Sequence, residues 1–308
     1  MSTILIAEFM DEDAVAQLRA AHPTLYDPQL VNRRADLLGL VNGPRALIVR
    51  NLTQVDRTLL ERAPALRVIG RLGVGLDNID VAACHARDIK VIPATGANAD
   101  SVAEYVIIAI GALLRGAFLS TGEVAAGQWP RGRLSAGREL GGRLLGLIGF
   151  GDIGQRVARR AVALGMRVAA FDPALPADHP AWTTHGVGRT DLDALIGAAD
   201  AVSLHVPLNE HTRNLISAER LARMRPDAVL VNTARGGIVD EAALAEVLRA
   251  GRLGGAALDV FAEEPLRPGS PLVGVPNLIL TPHIAGVTTE SNVRVSSMIA
   301  VRVLEALQ

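Results

Sequence analysis

Four side chains in the second half of the chain are of the types that hold anions or move protons. Each stands beside or just beyond a short apolar run. Arg235 lies in Asn232-Thr233-Ala234-Arg235-Gly236-Gly237, Glu264 in Leu258-Asp259-Val260-Phe261-Ala262-Glu263-Glu264-Pro265, and His283 in Thr281-Pro282-His283-Ile284-Ala285-Gly286. An arginine's planar fork suits a carboxylate and its neighbouring carbonyl better than a lysine does. A histidine exchanges a proton near neutral pH, and an adjacent carboxylate favours its charged form. The fourth residue, Asp172, ends the run 168–172 and belongs to a different device, Gly149-Phe150-Gly151-Asp152-Ile153-Gly154. This G-x-G-x-x-G follows the run Leu144–Ile148 and leads into the helix-like stretch 155–164. Glycines let the backbone approach a pyrophosphate, the helix N-terminus attracts it, and the acid accepts a ribose diol. Asp172 would repel a 2′-phosphate, and only Pro173-Ala174 follows it, so NAD rather than NADP is expected.

The elements that position these residues alternate between short apolar runs and helix-like stretches, the pattern of parallel sheets covered on both faces. From residue 144 the expected strands are 144–149, 168–172, 201–206, 228–233, 255–260 and 278–281. In such sheets ligands bind outside the carboxyl ends of the strands. A smaller unit precedes them, with strands expected at 4–9, 46–50, 68–70 and 90–92 and helices at 11–21, 55–63 and 79–88. A long apolar helix is expected over 101–115, with Ser101 as N-cap and Glu104 three residues on. Residues 116–138 read as an irregular arm. The last helix, 290–307, has no place in the six-stranded sheet and is expected to fold back onto the N-terminal unit. The fold class is therefore α/β with two doubly wound parallel-sheet domains. A Rossmann NAD-binding domain, 98–286, is inserted in a flavodoxin-like substrate domain formed by 1–97 plus 287–308. Hinge closure is expected near 98 and 286.

Composition narrows the class. The chain has 308 residues, a formal net charge of −1 and 49% apolar residues. Near-neutral charge argues against nucleic acid or an anionic membrane as a partner. Cys84, the single cysteine, excludes an intrachain disulfide and reads as a buried filler rather than a nucleophile. No targeting segment or membrane span is evident, and no metal site is expected. A cytoplasmic protein follows.

Taken together, the glycine turn and residues 232–241, 258–265 and 282–286 resemble the D-isomer-specific 2-hydroxyacid dehydrogenases, the group that includes phosphoglycerate dehydrogenase. The resemblance covers essentially the whole chain. It implies an NAD-dependent oxidoreductase with catalytic residues Arg235, Glu264 and His283. Arg235 would bind the substrate carboxylate and polarise the C2 oxygen, His283 would exchange the C2 hydroxyl proton, and Glu264 would stabilise the imidazolium. It further implies cofactor contacts at Gly149, Gly151, Asp152, Ile153, Gly154, Asp172, His205, Val206, Pro207, Thr233, Ala234, Arg235, Asp259, His283 and Gly286. Substrate contacts are implied at Arg50 and Asn51 and along Arg71-Leu72-Gly73-Val74-Gly75. Val74 and Val206 stand where some relatives carry threonine, so two hydroxyls are missing. Relatives pair as homodimers through the cofactor domain, here the helix 101–115 and the arm with Trp129. Whether Arg131 and Arg133 complete a neighbouring site is left open.

The resemblance leaves the acid open among sulfolactate, phosphoglycerate and glycerate/hydroxypyruvate. Arg50 beyond the carboxylate site favours a second anionic group. Residues 8–12, 46–51, 70–81 and 283–292 look like the sulfolactate dehydrogenase branch. Nothing follows Gln308, which argues against the long, serine-regulated phosphoglycerate dehydrogenases. Formate dehydrogenases share the fold but usually carry glutamine in place of Glu264. A non-enzymatic NAD-sensing corepressor shares the triad but would need partner-binding extensions. L-lactate-type enzymes open with their glycine turn instead of placing it after a first domain.

Overall fold

A computed structural model describes residues 3–308. Its contacts fall into two compact units: residues up to Asn98 with Val287–Gln308, and Ala99–Gly286. Among the described residues each unit is built on one fully parallel sheet.

The first unit has strands β1 Ile4–Ile6, β2 Thr24–Tyr26, β3 Ala46–Val49, β4 Val68–Arg71 and β5 Lys90–Pro93, in the order β2-β1-β3-β4-β5. This is the flavodoxin-like order. Alternate residues of a strand face opposite sides. Ile4, Ile48 and Val68 pack with Val15 and Leu18 of helix Glu12–Ala21 and with Val295, Ile299 and Val303 of helix Thr289–Leu307. Leu5, Leu47 and Ile69 pack on the other side with Leu37, Leu59 and Cys84. Burial pushes the Cys84 thiol up to about 11, so it stays protonated and acts as a filler. The helix Thr289–Leu307 starts at a reciprocal cap. Thr288 Oγ1 accepts the Ser291 N–H at 3.1 Å, and Ser291 Oγ accepts the Thr288 N–H at 2.8 Å. Its approach to β4 is close: a methyl added at Gly70 would lie 2.7 Å from Ile299 Cγ2 and 2.9 Å from Val303 Cγ2. Strand β2 lacks a sequence signature because it is three half-buried residues at the sheet edge.

The second unit has strands β6 Leu144–Ile148, β7 Arg167–Phe171, β8 Gly188–Arg189, β9 Ala201–Leu204, β10 Val229–Asn232, β11 Gly255–Leu258 and β12 Leu278–Leu280. Their order, β12-β11-β10-β9-β6-β7-β8, is the Rossmann arrangement with β12 added outside. The expected six strands are present. The seventh, β8, is two exposed residues that no apolar run announces. Ile148, Val202, Leu204 and Leu230 pack on one face of the sheet, and Leu145, Leu147, Val229 and Val231 on the other. The strand order reverses between β6 and β9, so the crevice at their carboxyl ends is the natural ligand site.

Two expectations for this unit are corrected. The long helix is Ala99–Arg115 and starts before Ser101, which is buried in its first turn rather than capping it. Asp100 anchors that turn through Arg156, 2.6 Å, and Arg160, 2.7 Å. The arm is not irregular throughout: it contains the short helices Thr121–Ala125 and Arg131–Leu134. Arg138 closes it by pairing with Asp227 at 2.6 Å and Asp200 at 3.1 Å. Among the described residues no single helix is long and apolar enough to cross a membrane.

The Gly70 contact generates a stability prediction. Gly70→Ala should destabilise the chain by ~1–3 kcal/mol through overpacking, read as a lower denaturation midpoint. An unchanged midpoint would show that helix Thr289–Leu307 yields without cost.

Candidate active site

The glycine turn is shaped by what its neighbours leave no room for. Gly149 has φ +95°, and a Cβ there would lie 2.4 Å from the His205 carbonyl oxygen and 3.0 Å from Val206 Cγ1. A Cβ on Gly154 would lie 2.5 Å from the Gly149 carbonyl oxygen, so the helix Asp152–Ala163 packs directly on the end of β6. Gly151, by contrast, faces open space, and no side chain caps the helix. Its first N–H groups are therefore left for an anion. Asp152 turns its side chain to Arg156, 3.0 Å away, and so offers the backbone rather than the carboxylate. Ile153 is partly buried against the core beneath the turn. Asp172 is aimed by two backbone donors, Phe150 at 2.8 Å and Ala174 at 2.9 Å, which stand its carboxylate over the turn with lone pairs to spare for a diol.

His205 and its neighbours wall this crevice. The His205 amide donates to the Ile148 carbonyl at 2.7 Å. Its ring pairs with Ser203 Oγ at 3.0 Å, and burial pushes its pKa down to about 4, so it is neutral at working pH. Pro207 accepts from Thr212 Oγ1 at 2.6 Å. Beyond β10, Thr233 Oγ1 is buried without a hydrogen-bond partner. An orphaned hydroxyl at a strand end is what a polar ligand atom satisfies. With the open face at Gly151 and the aimed Asp172, the residues present fit NAD.

The proton-moving pair is formed. His283 Nδ1 lies 2.8 Å from Glu264 Oε2. An ionised carboxylate only accepts, so Nδ1 carries the proton and Nε2 is left as the nitrogen able to exchange one. Glu264 Oε1 accepts the Phe261 N–H at 3.1 Å, which fixes the carboxylate from its other side. His283 itself sits in the left-handed region, φ +54°, which a non-glycine residue holds only when its surroundings impose it. They do so through Asp259, which is 1% exposed. Its carbonyl accepts the His283 N–H at 2.8 Å. Its Oδ1 accepts from Thr281 Oγ1 at 2.6 Å and Ile284 N at 2.8 Å, and its Oδ2 from Ala285 N at 2.8 Å. Thr281 is also tied to Tyr105, 2.6 Å between hydroxyls. Asp259, expected as a cofactor contact, thus also organises the histidine turn through its carboxylate. Gly286 closes the unit directly after that turn.

Arg235 leaves β10 on a tight turn. Asn232, 1% exposed, accepts the Ala234 N–H at 3.0 Å and donates to the Arg235 carbonyl at 2.9 Å. Arg235 Nη1 meets the Ala234 carbonyl at 2.6 Å. Next to it, a Cβ on Gly236 would lie 1.7 Å from the Phe261 carbonyl oxygen. Only glycine permits that approach, which puts the Arg235 loop against the segment carrying Glu264. Glu263, the other acid of the pair, is held by Arg267 instead.

The first unit places the remaining residues. Glu8, 4% exposed, accepts the amides of Arg50 at 2.8 Å and Thr53 at 2.9 Å, and Asn78 Nδ2 donates to the Arg50 and Thr53 carbonyls. The Arg50 guanidinium stacks over Phe9, 5.8 Å from the ring centre, and donates to Asn292 Oδ1 at 2.6 Å. Burial lowers its pKa and Glu8 opposes the shift, but an arginine stays cationic throughout. Asn51 is exposed beside it. Arg71 donates to the Leu72 carbonyl at 3.2 Å and leaves no room for a side chain at Gly73. The Gly73 amide is spent on the Arg71 carbonyl, 2.8 Å, whereas those of Val74 and Gly75 make no intrachain backbone bond among the described residues.

Tyr105, Asn232, Gly236 and Glu241 were given no role from sequence. The last three lie inside the quoted segment 232–241, where Arg-Gly-Gly and Asp-Glu before a helix were the available signals. Tyr105 had none, because its partner Thr281 is remote in sequence.

Residues 107–285 match the D-isomer specific 2-hydroxyacid dehydrogenase, NAD binding domain. The chain is 59% identical over 308 residues to an (S)-sulfolactate dehydrogenase of Chromohalobacter salexigens, covering 100% of this chain and 99% of that protein. It is 40% identical over 278 residues to a hydroxypyruvate reductase of Thermotoga maritima, 88% of each. Its structure is similar to a D-lactate dehydrogenase of Aquifex aeolicus complexed with NAD and lactic acid, TM-score 0.82 at 28% identity, over 99% of this chain and 95% of that one. The chain belongs to the D-isomer specific 2-hydroxyacid dehydrogenases, NAD-dependent oxidoreductases that act on a CH–OH group.

Proposed function

We propose that this enzyme interconverts a 2-hydroxy acid carrying a second anionic group with its 2-keto acid, (S)-sulfolactate first among them, through Arg235, Glu264 and His283. The 2.8 Å pairing of His283 with Glu264 carries the chemical part of the reading. The 59% identity to an (S)-sulfolactate dehydrogenase and the half-buried Arg50 support the anionic tail. The stereochemistry agrees: sulfur changes the priorities at C2, so (S)-sulfolactate has the spatial arrangement of a D-2-hydroxy acid.

In the oxidative direction the Arg235 fork meets the substrate carboxylate and the C2 oxygen. His283 Nε2 takes the hydroxyl proton, and the imidazolium so formed is stabilised by Glu264, itself held by the Phe261 amide. Bound NAD supplies the acceptor, or in reverse the donor, of the C2 hydride. In the reductive direction the imidazolium returns its proton to the C2 oxygen. Gly149, Gly151, Asp152, Ile153 and Gly154 would cradle the pyrophosphate and Asp172 the adenosine ribose, with Thr233 and the His205-Val206-Pro207 wall beside them. In the first unit, the Val74 and Gly75 amides and the Arg50 guanidinium are the groups that would take an anion.

We place the enzyme in the cytoplasm, where a chain with a single cysteine needs no oxidative folding. It pairs as a homodimer through its second unit. Ile108 at 69% exposure, Phe118 at 72% and Trp129 at 77% are large apolar side chains that a monomer would leave wet.

Three measurements test this. His283→Ala should cut turnover by about 10²–10⁴ while NADH still binds; near-native turnover would overturn the assignment. Compared by kcat/KM with NAD, (S)-sulfolactate should exceed 3-phosphoglycerate, glycerate and D-lactate, and equal values with D-lactate would remove the anionic-tail reading. Light scattering at micromolar concentration should give the mass of two chains, and a monomer would refute the dimer.

A further inference from the structure

Glu241 opens the helix Glu241–Arg249, directly after the Arg235 loop, and no role in the reaction is yet assigned to it. A solvated acid in a first helical turn would be unremarked, since it merely favours the positive end of the dipole. Asp240 already caps this helix, accepting the Ala243 N–H at 3.0 Å. Glu241 reaches elsewhere: its Oε1 accepts the N–H of Ala262 at 2.6 Å. The preceding amide, Phe261, is held by Glu264 Oε1 at 3.1 Å. Two carboxylates from different parts of the chain thus grip consecutive amides of one short strap. The same strap is in backbone contact with Gly236, where a Cβ would lie 2.5 Å from Ala262 N. Burial of Glu241 raises its pKa, and the nearby Asp240 and Glu264 raise it further. An acid kept beside a second acid, against repulsion, is explained by the amide it holds and not by helix charge alone.

We infer that Glu241 is a positioning residue: by holding the Ala262 amide it fixes the strap from which Glu264 reaches His283 and locks that strap to the loop carrying Arg235. The inference rests on the catalytic assignment of Glu264 and His283. The test uses the full chain and compares Glu241→Ala, Glu241→Asp and Glu241→Gln with Glu264→Gln and His283→Ala. The readouts are kcat, substrate KM, the NADH dissociation constant and the denaturation midpoint. Glutamine keeps the acceptor at the same reach and should retain near-native kcat. Alanine removes the acceptor, and aspartate keeps the charge but falls one methylene short. Both should lose about 10- to 100-fold in kcat, the penalty of a misplacement near 1 Å. NADH affinity should hold, because residues 149–154 and Asp172 are untouched. If Glu264→Gln and His283→Ala keep their turnover, the catalytic assignment fails first. If those two lose turnover while Glu241→Ala and Glu241→Asp keep it, the positioning role is overturned. It is equally overturned if Glu241→Gln is as impaired as Glu241→Ala. Should Glu241→Ala fail to fold, Glu241→Asp, which preserves the charge at the helix start, decides alone.

Discussion

The catalytic end of the second unit depends on one buried charge, the carboxylate of Asp259. An ionised group taken out of water is costly unless donors surround it. Here a hydroxyl and two amides do so, all from residues 281–285. Those bonds offset the strain of a non-glycine residue at φ +54°, of order 1–3 kcal/mol, and so determine where the His283 ring stands. The histidine's geometry is thus set from behind, by a residue with no surface of its own.

The rest of the site repeats that logic at other strand ends. In each unit the candidate residues are fixed through backbone bonds: Asn232 donates to the Arg235 carbonyl, the Phe150 amide donates to Asp172, and Glu8 accepts the Arg50 amide. Backbone held this way is already ordered, so no binding energy is spent on ordering it. The glycines serve the same end from the opposite direction. Gly149 and Gly236 let one backbone lie against another where any side chain would hold them apart.

The two sheets were legible because runs such as Leu144–Ile148 and Val229–Asn232 are buried on both faces and read as continuous apolar segments. The edge strands Thr24–Tyr26 and Gly188–Arg189 were not, since an edge half-exposed to water needs no such run. The chemical residues stand out by type and position, and the resemblance implies the pairing of Glu264 with His283. Their supports were hidden. Nothing local distinguishes Asp259 as an organiser of the 281–285 turn, or ties Tyr105 to Thr281, because those bonds join segments that only the folded sheet brings together. The start of the long helix was misjudged for a similar reason: Ser101 is a good cap by type, but the ion pairs of Asp100 with Arg156 and Arg160 carry the helix back to Ala99.

The helix Thr289–Leu307 closes one face of the first unit's sheet, although the residues of that sheet were all made before Asn98. During synthesis the intervening unit, Ala99–Gly286, is complete before that helix exists. Ile4, Ile48 and Val68 must therefore wait with only helix Glu12–Ala21 against them while the second unit folds as a unit of its own. The order of translation makes the second unit the early-folding partner and leaves one face of the first unit's sheet only part-covered until that helix emerges. The reciprocal cap at Thr288 and Ser291 favours local formation of that late helix.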